Sequence, residues 1–349
     1  MLADPAAERG VENVVTRCLR VAPAERVALL HYRAGALVET FQAAIERAGA
    51  SVTRLDLEGR PSILPGAPTG SAASTAGTSS VGLRRALDGA SASVLVADES
   101  LPMGLSYAVR DEAQKARTRH IHLTGVDTRV LAQSARAEPD RLALVGQRVV
   151  ERLATASRVT VTAPTGTSLE IQLASALPLL VGTGRPDAGA SENVPAGFVY
   201  FHPADVRGVF VADRAIALSG QRLPTRRAPV TLVIEGGRVR DRRCDDAGTL
   251  AALDAYLESH HHAGRVGTLV LPTNYLVRSE IGVYAQDELS PGINVNLGFT
   301  HHVATLAPWD APVQARLLAR KLTVRAGDRP LVDQGRHADA LVEGVDPFR

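Results

Sequence analysis

Between Arg278 and Asp310 the chain reads RSEIGVYAQDELSPGINVNLGFTHHVATLAPWD, which gathers Glu280, Asp287, Glu288, Asn294, His301, His302 and Asp310. Histidine beside carboxylates can take and return a proton near neutral pH, or hold a zinc or iron ion. Glu280, His301, His302 and Asp310 are therefore the candidate catalytic residues. Neighbouring residues of an extended segment point to opposite faces, so only one of His301 and His302 is expected to face a pocket. The alternative for the pair is a polar turn after a strand ending at Gly298.

Upstream, His202 stands before Pro203 at the end of the apolar run Val199–His202, as a substitute base or ligand or as an interior histidine. Tyr200, Tyr275 and Tyr284 offer phenols, with aromatic packing as their ordinary use. His260, His261 and His262 close a helical pattern, where the helix dipole favours imidazolium. Three consecutive side chains on a helix end diverge, so a solvated cap is expected there and not a chelate. Cys18 and Cys244 are isolated, which leaves any metal to histidine and carboxylate ligands.

The chain has 349 residues, enough for two domains. Its 39 basic and 37 acidic side chains give a net charge of +2, which supplies no broad field for nucleic acid. The start MLADPAAERG lacks a signal-peptide pattern, and no apolar run approaches the roughly 20 residues that span a bilayer. A cytoplasmic protein without membrane or nucleic-acid partners is expected.

In the first half, Val27–Leu30 reads as a buried strand, Gly35–Ala48 as a helix stopped by Gly49, and Val52–Leu57 as a second strand. Val94–Ala97, Tyr107–Ala116 and His120–Leu123 repeat the alternation, which argues for a parallel sheet covered by helices. Neither a GxGxxG after the first strand nor a GxxxxGK[ST] occurs, so nucleotide binding has no support. The Gly-, Pro-, Ser- and Thr-rich stretch 59–82 reads as a mobile loop, with a lid as its functional version. His120 and His122 alternate with Ile121 and Leu123, which suggests a polar strand face near the sheet edge. Arg141–Ala156 is a linking helix, and the domain boundary is placed at its end: 1–156 and 157–349.

From Arg158 strand follows strand. Val159, Val161, Leu169, Ile171 and Leu173 alternate around Pro164-Thr165-Gly166-Thr167, a hairpin signature. Val206–Ala217 and Val230–Val239 continue the pattern, Ala247–Ser259 is a helix, and Leu322–Val332 is a last hairpin. The expected fold is an α/β Rossmann-like N-terminal domain plus a β-rich α+β C-terminal domain that carries the site.

The ordered segments GASVTRLDL, SRVTVTAPTGTSLEIQL, ENVPAGFVYFHP, APVTLVIEGGRV, SEIGV, DELSPGINVNLG and PWD resemble the thermophilic metalloprotease family of aminopeptidases and its relative, 2,5-dihydroxypyridine 5,6-dioxygenase. The resemblance spans nearly the whole chain and implies a homodimer. It also implies two metals held by two Glu, two His and one Asp in the peptidases, or one iron held by two His and one Asp in the dioxygenase.

Few of those ligands carry over. Phe198 follows Asn193-Val194-Pro195-Ala196-Gly197, where the family has a Glu; Asn294 stands where it has a His; Pro308 replaces the His of the closing H-x-D. Glu280 and Asp310 are the retained anions, too few for two zinc ions. The resemblance therefore implies an enzyme with a remodelled, metal-poor or metal-free site, using histidine and carboxylate acid–base chemistry on a small amino-acid-derived, short peptide-like or aromatic substrate. His202, Phe198, Tyr200, Asn294 and Tyr284 are the expected substrate-binding residues. No cofactor is favoured. The alternatives are a single zinc or iron held by Glu280, His302 and Asp310, serving hydrolysis or ring-cleaving oxygenation, and a non-catalytic binding subunit.

Overall fold

A computed structural model describes residues 4–58, 81–174 and 176–347. The loop expected over 59–82 falls outside the described residues for 59–80. The chain forms two compact units. The first comprises Met1–Arg141, Thr183–Ala196 and Ser279–Asp287; the second comprises Leu142–Gly182, Gly197–Arg278 and Glu288–Arg349. Segments 183–196 and 279–287 thus return to the first unit, which a linear boundary after residue 156 does not provide for. Each return uses one short stretch, too short to carry a periodic signal.

In the first unit, five strands form a parallel sheet in the order Ser51–Asp56, Arg26–Tyr32, Ala92–Ala97, Arg119–Thr124, Ser191–Asn193. Because side chains alternate across a strand, each strand feeds two cores. Val27, Leu29, Val94, Val96, Ile121 and Leu123 pack with Val38, Phe41 and Ile45 of helix Leu37–Arg47 on one face. Ala28, Leu30, Leu95 and Ala97 pack with Leu105, Val109 and Ala113 of helix Met103–Lys115 on the other. That helix begins one turn before the expected Tyr107, directly after Pro102, which stands at its N-cap.

His120 and His122 correct an expectation. Their strand is not at the edge, because the returning strand Ser191–Asn193 pairs alongside it, His120 level with Ser191 and His122 with Asn193. Both rings are buried, at 0% and 3% exposure.

The second unit is built on two antiparallel sheets. One has eight strands, from Arg238–Arg243 at one edge to Arg336–His337 at the other. It contains the hairpin Arg158–Thr162 with Ser168–Gln172 and the hairpin Thr323–Ala326 with Arg329–Asp333, as the alternation predicts. The seven-stranded sheet sets Asn294–Gly298 between Val266–Pro272 and Gln314–Leu318, with Phe198–Phe201 on the far side of Val266–Pro272. These four strands deliver the candidate site. No helix among the described residues is long and apolar enough to cross a membrane.

Candidate functional site

Strand Asn294–Gly298 ends at a glycine with φ of +82°, where an added Cβ would lie 2.2 Å from the Val313 carbonyl oxygen. Only glycine lets the chain leave the sheet here so close to its neighbour. Phe299 and Thr300 follow, then His301 in the left-handed region at φ 55° and ψ 40°, then the short helix His302–Thr305. Helical geometry at His302 overturns the extended arrangement assumed for the His301–His302 pair, and the two rings reach different neighbours for that reason.

His302 Nδ1 lies 2.7 Å from Asp310 Oδ2. Asp310 Oδ1 accepts the Thr300 backbone N–H at 2.7 Å and the Thr300 hydroxyl at 2.9 Å. Burial raises the Asp310 carboxyl, but the Thr300 N–H, the His302 ring, the Thr300 hydroxyl and the Ala311 N–H together hold it below the ordinary carboxylate range. An ionised carboxylate only accepts hydrogen bonds, so neutral His302 carries its proton on Nδ1 and its lone pair on Nε2. The His302 side chain is 54% exposed.

His301 turns to aromatic neighbours: its ring centroid is 4.3 Å from Phe299 and 5.8 Å from Tyr200, and Tyr200 is 5.9 Å from Phe198. His202 is a buried residue whose Nδ1 donates to the Gly267 carbonyl at 2.6 Å. Burial lowers its proton affinity, against the Gly267 bond and with help from Arg265. Its ring meets Trp309 edge-on at 5.7 Å. Trp309 is also flanked by His262 at 4.8 Å and by the Arg265 guanidinium at 4.4 Å. His260, His261 and His262 therefore are not a plain solvated cap, since the last ring is half-buried against the tryptophan.

Sequence reasoning passed over Thr300, Trp309 and Arg265. Thr300 carried the weakest signal, a single hydroxyl ten residues before the carboxylate it holds. Asn294 is placed elsewhere: its amide donates to the Glu288 carbonyl at 2.8 Å, and Glu288 pairs with Arg316 at 2.9 Å. Glu280 and Tyr284 belong to the first unit, on the segment where Asp287 accepts the backbone N–H groups of Ile281 and Gly282 at 2.9 and 3.0 Å.

The donor set does not fit the metal that the resemblance implies. Among the described residues no three His, Cys, Asp or Glu side chains are grouped to hold an ion. Phe198 and Pro308 have no donor atom, and both Asp310 oxygens already accept hydrogen bonds.

Comparison with known proteins agrees with this fold. The search of curated proteins gave no match. The 2,5-dihydroxypyridine dioxygenase of Pseudomonas putida KT2440 superposes with a TM-score of 0.65 over 97% of this chain and 98% of its own, at 16% identity. Wild-type AmpT from Thermus thermophilus gives 0.63 over 95% and 99%, at 15% identity. At such identities the likeness concerns the fold. The family model for NicX, 2,5-dihydroxypyridine 5,6-dioxygenase, matches residues 9–264, so His301, His302 and Asp310 lie beyond the matched span. By that match the chain belongs to the 2,5-dihydroxypyridine 5,6-dioxygenase family.

Proposed function

We propose that the protein is an enzyme on this scaffold whose working group is the His302–Asp310 pair, acting on a small amino-acid-derived or aromatic substrate. The observation that carries it is the 2.7 Å contact between His302 Nδ1 and an Asp310 carboxylate fixed by Thr300. In this reading His302 Nε2 takes a proton from the substrate or from an attacking water. Asp310 orients the ring and stabilises the imidazolium that forms, and the same nitrogen later returns the proton. Tyr200, Phe198, Phe299 and His301 supply an aromatic surface in the same unit, which suits a planar or apolar substrate group.

Turnover of candidate substrates by His302→Ala and Asp310→Asn, compared with the unaltered chain, is the test. Full activity in both, with folding intact, would end the proposal. Glu280→Gln is a separate test of the acid retained in the E-I-G segment.

The alternative implied by the resemblance, a single zinc or iron, is tested independently of the His302–Asp310 pair. Elemental analysis of protein purified without chelator separates the two. Stoichiometric metal, lost together with activity on chelation, supports the second; activity unaffected by chelation supports the first.

A further inference from the structure

The two histidines of strand Arg119–Thr124 sit in an unbroken chain of hydrogen bonds in the first unit, buried except at its Ser106 end. Thr118 Oγ is 2.7 Å from Ser93 Oγ, Ser93 Oγ is 2.8 Å from His120 Nδ1, His120 Nε2 is 2.9 Å from His122 Nδ1, and His122 Nε2 is 2.8 Å from Ser106 Oγ. Ser93, Thr118 and His120 have no exposed surface.

One proton per junction satisfies the chain in either of two directions. With the Thr118 hydroxyl donating to the Ala113 carbonyl at 3.3 Å, the direction is the one in which Thr118 accepts from Ser93. Ser93 then accepts from His120 Nδ1–H, which leaves His120 Nε2 as a lone pair to accept His122 Nδ1–H. His122 Nε2 in turn accepts the Ser106 hydroxyl. Each junction holds one proton, and the neutral pair is fully satisfied.

One added proton can be taken only if the Ser106 junction reverses. A second would set two N–H groups against each other across 2.9 Å. The surroundings do not favour charge. Strand Ala92–Ala97 presents neutral Ser93. Helix Met103–Lys115 presents Ser106 and the cation Arg110, while its Glu112 is engaged by Arg84 and Lys115. Strand Ser191–Asn193 presents Ser191 and Asn193, and Glu192, level with Ile121, points to the opposite face. Burial, with Arg110 adding to it, pushes His120 down to about 3 and His122 well below the ordinary histidine range.

We infer that His120 and His122 form an acid-released latch that fastens helix Met103–Lys115 to the parallel sheet through Ser106. Arg110 of the same helix donates to Asn193 Oδ1, so release also loosens the returning strand Ser191–Asn193. At neutral pH both rings are neutral and the latch is closed. As pH falls below about 6.5, the opened state takes up protons that the closed state accepts only at lower pH, and opening becomes easier.

Hydrogen exchange of the full chain at pH 7 and pH 5, corrected for intrinsic rates, tests this. Protection over 103–115 should fall about 25-fold for each histidine protonated on opening, while helix Leu37–Arg47 on the other face keeps its protection. A change under about threefold, or an equal fall in both helices, overturns it. Long-range proton–nitrogen NMR of histidine-labelled protein at pH 7 supplies an independent check without any substitution. Both rings must carry the same tautomer, and a mixed pair, which leaves the 2.9 Å junction between the rings with two protons or none, overturns the latch.

Discussion

Asp310 is held from two sides, by His302 Nδ1 at 2.7 Å on one oxygen and by the Thr300 N–H and hydroxyl on the other. The carboxylate is thereby fixed before any substrate arrives, and the ring it orients is the exposed partner. Thr305 strengthens the loop, donating its hydroxyl to the Thr300 carbonyl at 2.8 Å.

Removing either member of the pair should act on the chemical step. Asp310→Asn and His302→Ala are each expected to lower kcat by about 10²–10⁴-fold, the usual contribution of a positioned acid–base group. Combining them should cost little more than either alone, because the two residues work as a unit. Steady-state kinetics with circular dichroism as a folding control checks both statements.

His301 should behave differently from its neighbour. At φ 55° it occupies a conformation that asparagine tolerates and β-branched residues resist. His301→Asn should leave stability within about 0.5 kcal/mol, whereas His301→Val should cost about 1–2 kcal/mol. Urea unfolding midpoints of the two variants give the comparison.

Glu192 predicts a dependence of stability on pH. Burial raises its carboxyl from 4.5 to about 7, against the Gly184 N–H and Arg110, which lower it. A folded-state value above the unfolded one means that the folded chain holds the proton longer. The associated stability is present in full below pH 4.5 and is lost as pH rises through 7. Glu192→Gln keeps an acceptor for the Gly184 N–H and should be more stable than the unaltered chain at pH 8 by on the order of 3 kcal/mol, with no gain at pH 4. Denaturant melts at the two pH values test the sign.

Gly298 should tolerate no side chain. Gly298→Ala places a Cβ 2.2 Å from the Val313 carbonyl oxygen at φ +82°, so a loss of about 2–4 kcal/mol is expected, with Thr300 and Asp310 displaced. Gly282 also has positive φ, at +74°, but an added Cβ meets nothing within 4 Å, so Gly282→Ala should cost only about 1 kcal/mol. Thermal melts of the two variants separate crowding from backbone strain.

Much of this protein was legible in its residue pattern. Apolar runs such as Val27–Leu30 and Val94–Ala97 announced the parallel strands, and the alternation around Gly166 and Gly327 announced the hairpins, because strand periodicity is a local property of the chain. The cluster from Arg278 to Asp310 also contained the His302–Asp310 pair. Tertiary structure alone decided three other things. It assigned Glu280 and Tyr284 to one unit and His302 and Asp310 to the other, since a nine-residue return has no periodicity to read. It placed His120 and His122 on an interior strand, flanked by one that arrives some seventy residues later in the sequence. And it chose His302 over His301 as the partner of Asp310, through a left-handed turn at His301 that residue types do not encode and that packing around Gly298 and Thr300 imposes.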